Sequence, residues 1–332
     1  MIPRRRALGR SEVEVGELAF GAAGIGNLFT PVTDADAEAA VAAAWESGVR
    51  YFDTAPHYGL GLSERRLGRA LRGRPRDEYV LSTKVGRLLR PAPEPGGDDL
   101  AHGFAVPATH RRIWDFSAVG VRRSIEDSLE RLGLDRIDVV YLHDPDDHAE
   151  QALTQAYPEL ARLRAEGMVG AIGVGMNQAE LLARFIRETD VDAVLLAGRY
   201  SLLDQRGLAE LLPLAAERGV GVVIGGVFNS GLLADPRPGA TFDYAAAPEE
   251  LLARALDLKA VCEKHGVPLR AAALRFPFGH PAVASVLVGT RNAAEVRDAA
   301  AMLRRRVPDD LWAELKERGL LPPGVPTPQE AH

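Results

Sequence analysis

The sequence predicts an α/β fold, a (β/α)8 TIM barrel with a long loop after the third strand. Three observations predict it. Eight short apolar, β-branched runs recur along the 332 residues; each is followed by a segment of helical period; and most of those segments close on a glycine. Strand and helix in alternation imply parallel pairing, and eight such units close a sheet on itself.

The runs fall at 17–21 (ELAFG), 49–54 (VRYFDT), 79–84 (YVLSTK), 137–143 (IDVVYLH), 170–175 (GAIGVG), 193–198 (AVLLAG), 221–227 (GVVIGGV) and 285–289 (SVLVG). Between them lie amphipathic stretches at 34–48, 61–73, 118–133, 249–266 and 292–306. A doubly wound open sheet is the competing architecture. Its glycine fingerprint fails, because neither Gly59-Leu60-Gly61 nor Gly173-Val174-Gly175 is followed by the third glycine at the required offset. One connection breaks the rhythm: residues 85–116, rich in Pro and Gly, read as a substrate-loop insertion within a single domain spanning 1–332. Trp114 near its end reads as a substrate-binding wall.

Composition narrows the function. A hydrophobic fraction of 46% and a charged fraction of 26% supply a substantial core and argue against disorder. A net charge of −6 argues against a nucleic-acid footprint. The Arg4–Arg6 and Arg304–Arg306 clusters read as solvated chain ends or helix C-termini. The lone Cys262 allows no intramolecular disulfide and reads as a core thiol. With no signal-like or membrane-length apolar segment, the expectation is a cytoplasmic protein acting on a small molecule, without nucleic-acid or membrane partners; a homo-oligomer is left open.

Three neighbouring runs end in a polar residue: Asp53, Lys84 and His143, with Tyr58 in the loop after Asp53. In a barrel, the C-terminal strand ends build the active site. Taken singly, each residue has an ordinary structural role: a cap, a solvated lysine, a core histidine, a tyrosine over the barrel mouth. Together they form a proton-transfer set. A lysine ammonium beside a phenol favours phenolate and is expected to draw the phenol toward working pH. An aspartate keeps that lysine charged, and a neutral imidazole orients a substrate oxygen. No side chain donates hydride, so proton chemistry at a C–O group implies a bound redox cofactor. The remaining histidines lack paired ligand spacing, so no metal is expected. His57, beside Tyr58, reads as a pocket neighbour that contacts substrate. Gly289, Thr290 and Arg291 stand at a strand end and helix start, where free N–H groups and a cation suit a phosphate; the alternative is an ordinary turn.

With these residues in FDTAPHYGLGLSERRLGRAL, LSTKVG and YLHDPD, the sequence resembles the aldo-keto reductase superfamily along nearly its whole length. Asp53, Tyr58, Lys84 and His143 match the family's four catalytic positions one for one. Further runs (AFGAAGIGNLF, AIGVGMNQ, LLAGRYSLLDQ, VVIGGVFNSGLLA) resemble the branch of D-threo-aldose 1-dehydrogenases, L-fucose dehydrogenases and pyridoxal 4-dehydrogenases. The resemblance implies NADP or NAD as cofactor and oxidation of a sugar C1 hydroxyl to a lactone. It implies cofactor contacts at Gly21 and Ala22 near the nicotinamide and Asn177 at its carboxamide. Phe228, Asn229, Ser230, Gly231 and Leu232 fall along the pyrophosphate, and Gly289, Thr290, Arg291 and Glu295 around the adenosine. Ala197, Gly225 and Ala299 stand where the family commonly has a glutamine, an aromatic and an asparagine. Alternative readings are an aldehyde, ketone or pyridoxal reductase or dehydrogenase, a cofactor-bound regulatory subunit, and a phosphate-recognising barrel isomerase or lyase without nicotinamide.

Overall fold

In the computed structural model, which describes residues 5–94, 96–243 and 245–329, all eight runs become strands. The outer ends of the 1–332 span, and Arg4 with them, lie outside the described residues. The strands are β1 Leu18–Gly21, β2 Tyr51–Asp53, β3 Val80–Val85, β4 Val139–His143, β5 Ala171–Met176, β6 Ala193–Ala197, β7 Gly221–Gly225 and β8 Val283–Gly289. They pair in parallel in chain order, and β8 pairs with β1 to close the barrel. The open doubly wound sheet is thereby excluded.

Both faces of this sheet are covered, which is why its strands read as unbroken apolar runs. Alternate residues serve two cores. Tyr51, Val139, Tyr141, Ala171, Ala193, Leu195 and Val223 point into the barrel, while Phe52, Val140, Leu142, Ile172, Val194 and Ile224 face the helices. The inner core is not wholly apolar, because Tyr51 and Tyr141 hydroxyls share a buried hydrogen bond of 3.1 Å. Beneath it, Arg5–Ala7 pairs antiparallel with Glu14–Gly16, and Leu8 and Val15 join the inner cluster, so an N-terminal hairpin seals the floor. Among the described residues no helix is long and apolar enough to cross a membrane.

Local sequence sets the helix starts. Thr33 caps α1 (Asp34–Glu46) by accepting from Asp36 N, and Ser117 caps Ala118–Leu132 by accepting from Gly120 N. Between these helices α2 (Leu62–Leu71) packs closely on α3 (Ala118–Leu132) at Gly68, where a Cβ would stand 1.8 Å from Leu132 O.

Residues 87–114 are not the irregular loop that their Pro and Gly content suggests. Arg87–Pro91 pairs antiparallel with His110–Trp114, and Asp98–Asp99 pairs with Phe104–Pro107. The first pair contains RLLRP and HRRIW, with no period-two alternation to betray it, because charged side chains from these strands are themselves drawn into ion pairs. Asp115 N donates to Gly86 O at 3.0 Å, closing the base of the excursion. Phe104, Leu89 and Val106 pack with Leu60 and partly buried Tyr58, so the hairpins brace the loop after β2.

Replacing Gly68 with alanine is expected to lower unfolding stability by about 1–3 kcal/mol, since overpacking against backbone cannot relax by a rotamer change. Urea denaturation measures it; an unchanged midpoint would contradict the close α2–α3 packing.

Candidate active site

The strand ends carry their polar residues to one place. Asp53 ends β2 and lies beside Ser82 in the register with β3, while Lys84 on β3 lies beside Tyr141 on β4. Lys84 Nζ donates to Asp53 Oδ2 at 2.6 Å and to Thr54 O at 2.9 Å, and Ser82 Oγ donates to Asp53 Oδ1 at 2.7 Å. Lys84 and Asp53 are 2% and 1% exposed, so the ammonium and carboxylate neutralise each other out of reach of water. Burial works against the Lys84 charge, but Asp53 and the nearby Tyr58 outweigh it and hold the ammonium above its ordinary range.

Tyr58 reaches this pair through a tight turn. Tyr58 N donates to Ala55 O at 3.1 Å and Gly61 N to Pro56 O at 2.9 Å. Gly59 adopts φ +60°, and a Cβ there would lie 2.2 Å from Gly26 O, so this turn needs glycine. Lys84 Nζ sits 4.7 Å from the Tyr58 ring centroid, and the His143 ring stands perpendicular to it at 5.8 Å. The expected fall in the phenol's pKa is not found. Burial pushes it up to about 12, with Lys84 pulling the other way without prevailing. Tyr58 is therefore a protonated phenol at neutral pH. Burial also carries His143 well below its ordinary range, helped by Arg87 and Lys84, so its imidazole is neutral. Its Nδ1 is buried without a partner.

His57 joins the group, its ring 5.7 Å from His143 and 6.1 Å from Tyr58. Trp114 lies farther out on the hairpin, 44% exposed, stacked on Phe116 and beside His148, with the Arg87 guanidinium 4.4 Å from its ring. Arg87 in turn pairs with Asp144, the residue after His143.

A cleft of about 510 Å³ runs from Asp53 and Tyr58 across the barrel mouth to the last βα unit. Of the proposed cofactor contacts, Gly21, Asn177, Phe228, Asn229, Ser230, Gly231, Gly289, Thr290, Arg291 and Glu295 line it; Ala22 and Leu232 do not, both being fully buried. The Asn229 side chain is turned inward, accepting from Ser201 Oγ and donating to Gly198 O. Ala197, Gly225 and Ala299 also line the cleft, so small side chains form part of its wall.

The cleft fits a dinucleotide in two respects. Thr290 Oγ1 is buried in its wall without a hydrogen-bond partner, and at Gly289 and Gly231 an added Cβ would meet nothing within 4 Å, so backbone borders open space there. Two amides at the start of helix Ala293–Leu303 are not free for phosphate: Asn292 Oδ1 accepts from Glu295 N, and Glu295 Oε2 from Arg291 N. Nor is Arg291 a bare cation, for its guanidinium meets Glu295 Oε1 at 3.0 Å.

Sequence reading missed Arg270 and Asp298, which form a two-bonded pair in the cleft wall, and the Arg87–Asp144 and Arg112–Asp99 pairs around the mouth. Asp144 adjoins His143 and Arg87 follows Lys84 by three, which flags their neighbourhood. Nothing in the spacing of the other four signals a meeting. No group of three or more His, Cys, Asp or Glu among the described residues is arranged to hold a metal ion. Cys262 is buried and its thiol is pushed up to about 12 by burial.

A model of the aldo/keto reductase family matches residues 17–319. The chain is 50% identical over 310 residues to a D-threo-aldose 1-dehydrogenase of Pseudomonas sp., covering 92% of this chain and 94% of that one. It is 43% identical over 335 residues to a pyridoxal 4-dehydrogenase of Microbacterium luteolum, covering 96% and 98%. Among solved structures, the holo form of an aldo-keto reductase from Bacillus halodurans superposes with a TM-score of 0.75 at 26% identity, covering 97% of this chain and 98% of that one.

Asp53→Asn should cost about 3–5 kcal/mol of stability, because it leaves the buried Lys84 ammonium uncompensated. Adding Lys84→Met to it should recover much of that loss. Denaturant titration of the single and double variants reads both, and an Asp53→Asn chain as stable as the original would show that the pair is not the buried contact described.

Proposed function

The chain belongs to the aldo/keto reductase family, and from that premise we propose that it oxidises the anomeric hydroxyl of an aldose to a lactone, with NAD as the preferred cofactor. It is an NAD(P)-dependent oxidoreductase of CH–OH groups. The observation that carries the finer reading is the convergence of Asp53, Lys84, Tyr58 and His143, of which Asp53 and Tyr58 line the cleft.

In this reading Tyr58 Oη exchanges the proton of the substrate oxygen. As a protonated phenol it is ready to act as general acid toward a carbonyl. As general base toward a hydroxyl it works through its phenolate, which Lys84 favours and burial opposes. Asp53 keeps Lys84 charged and aimed. His143, held neutral, hydrogen-bonds the same substrate oxygen. The nicotinamide, when bound, takes or gives the hydride. Gly21 and Asn177 would border its ring end, residues 228–231 its pyrophosphate, and Thr290, Arg291 and Glu295 its adenosine.

Charge supports a neutral substrate. Each cation around the mouth has its own acid: Lys84 with Asp53, Arg87 with Asp144, Arg112 with Asp99. The relative at 50% identity is a D-threo-aldose 1-dehydrogenase, which favours a sugar. The relative at 43% supports pyridoxal as the second reading. Charge also supports NAD. Arg291 and Arg270 at the adenosine end are balanced by Glu295 and Asp298, leaving no net cation for a 2′-phosphate.

Initial rates at 340 nm with aldoses, pyridoxal and simple aldehydes test the substrate. Aldose oxidation is expected, and Tyr58→Phe is expected to lose about 10²–10⁴-fold in turnover. No turnover of any aldose, beside brisk use of pyridoxal, would put the second reading first. For the cofactor, kcat/KM should be higher with NAD than with NADP, and Glu295→Gln with Asp298→Asn should narrow the gap; a preference for NADP in the unaltered protein would refute the charge assignment.

A further inference from the structure

We propose that Asp99 and Arg112 lock His57 as the tautomer protonated on Nε2, making it a fixed hydrogen-bond donor to a substrate hydroxyl next to the reacting carbon. The identity of that acceptor rests on the aldose reading above; the tautomer does not.

The geometry begins on the hairpin. Arg112 lies on the strand His110–Trp114, and its guanidinium grips both oxygens of Asp99, Nη1 to Oδ1 at 2.8 Å and Nη2 to Oδ2 at 2.5 Å. The two side chains are 9% and 5% exposed, so the fork is fixed by burial as well as by charge. With one edge committed to Asp99, Arg112 turns its Nε to His57 Nδ1 and its Nη2 to His57 O at 3.0 Å. His57 is thus held by ring and backbone together.

Chemistry then dictates the proton. A guanidinium has donors and no acceptor, so the ring nitrogen facing it must present a lone pair. Nδ1 is therefore unprotonated, and a neutral imidazole in that state carries its hydrogen on Nε2. Burial, with Arg87 and Arg112 close by, lowers the His57 pKa to about 2, so the imidazolium does not compete near neutrality. Nε2 makes no hydrogen bond among the described residues, nor is it one of the polar atoms sealed from solvent without a partner. The ring centroid lies 5.7 Å from that of His143 and 6.1 Å from that of Tyr58, so the imidazole neighbours the pair proposed to hold the reacting oxygen. An oxygen one carbon away is the natural acceptor for a polyol. Arg112 and Asp99 are positioning residues in this scheme, and His57 is the group that touches substrate.

Two readouts test it. With ¹⁵N-labelled histidine, the His57 signals, identified by their loss in His57→Gln, should show an unprotonated Nδ1 and a protonated Nε2 at neutral pH. Arg112→Lys, which keeps a cation for Asp99 but loses the planar fork, should give a mixture of tautomers. A wild-type His57 protonated on Nδ1, or a tautomer unchanged in Arg112→Lys, would overturn the lock. In kinetics, one monodeoxy aldose should fall about tenfold in kcat/KM relative to its parent. His57→Leu should abolish that difference, and His57→Gln, which places an amide donor near Nε2, should restore most of it. A His57→Leu enzyme that keeps the wild-type ratio for every deoxy analogue would refute the donor role. If no aldose were turned over at all, the aldose reading would fall, while the nitrogen spectra would still decide the tautomer.

Discussion

A lysine and an aspartate, each almost wholly out of water, stand 2.6 Å apart on adjacent parallel strands, and the arrangement of the site follows from satisfying them. Isolated burial of either charge would be prohibitive, so each needs the other and further hydrogen bonds. Ser82, within β3, and the carbonyl of Thr54, directly after β2, supply these. The pair fixes β2 against β3 at the barrel mouth and places a compact positive charge beneath the Tyr58 ring. Such a pair is poor evidence of stability, since well-packed apolar residues hold strands together as well or better. Its retention at a strand end is better understood as a device for holding a charge beside a phenol.

Much of this was legible in the sequence. Recurring apolar runs marked every barrel strand, because a strand buried on both faces has no alternative to continuous hydrophobicity. Asp53, Lys84 and His143 stood out because a polar residue ending such a run contradicts the run itself. The 87–114 strands were not legible. Their Pro and Gly content reads as a loop, but Arg112 is buried in an ion pair whose partner, Asp99, is thirteen residues away. Pairing of that kind leaves no periodic trace. The Tyr58 phenol is a related case: the sequence shows which charges are near, but not how dry the pocket is, and burial outweighs Lys84 here.

The surfaces proposed to meet cofactor and substrate are of opposite styles. The cleft toward the last βα unit is backbone, small residues and two balanced ion pairs, which suits recognition of a long ligand by shape. The region over Tyr58 is dense in rings and guanidinium groups: His57, Phe104, Trp114, His148, Arg87 and Arg112. Planar groups of this sort give directional hydrogen bonds, as discrimination among closely similar small molecules requires.

The hydrogen bond between Asp115 N and Gly86 O makes the excursion over the site begin and end at nearly one point on the barrel. A segment anchored this way is a cassette. Its length and sequence can change without altering the spacing of the strands it interrupts, so natural variation or grafting could reshape the substrate face while the Asp53–Lys84 pair beneath stays in register. The chain thus separates what must be inherited intact from what is free to be exchanged.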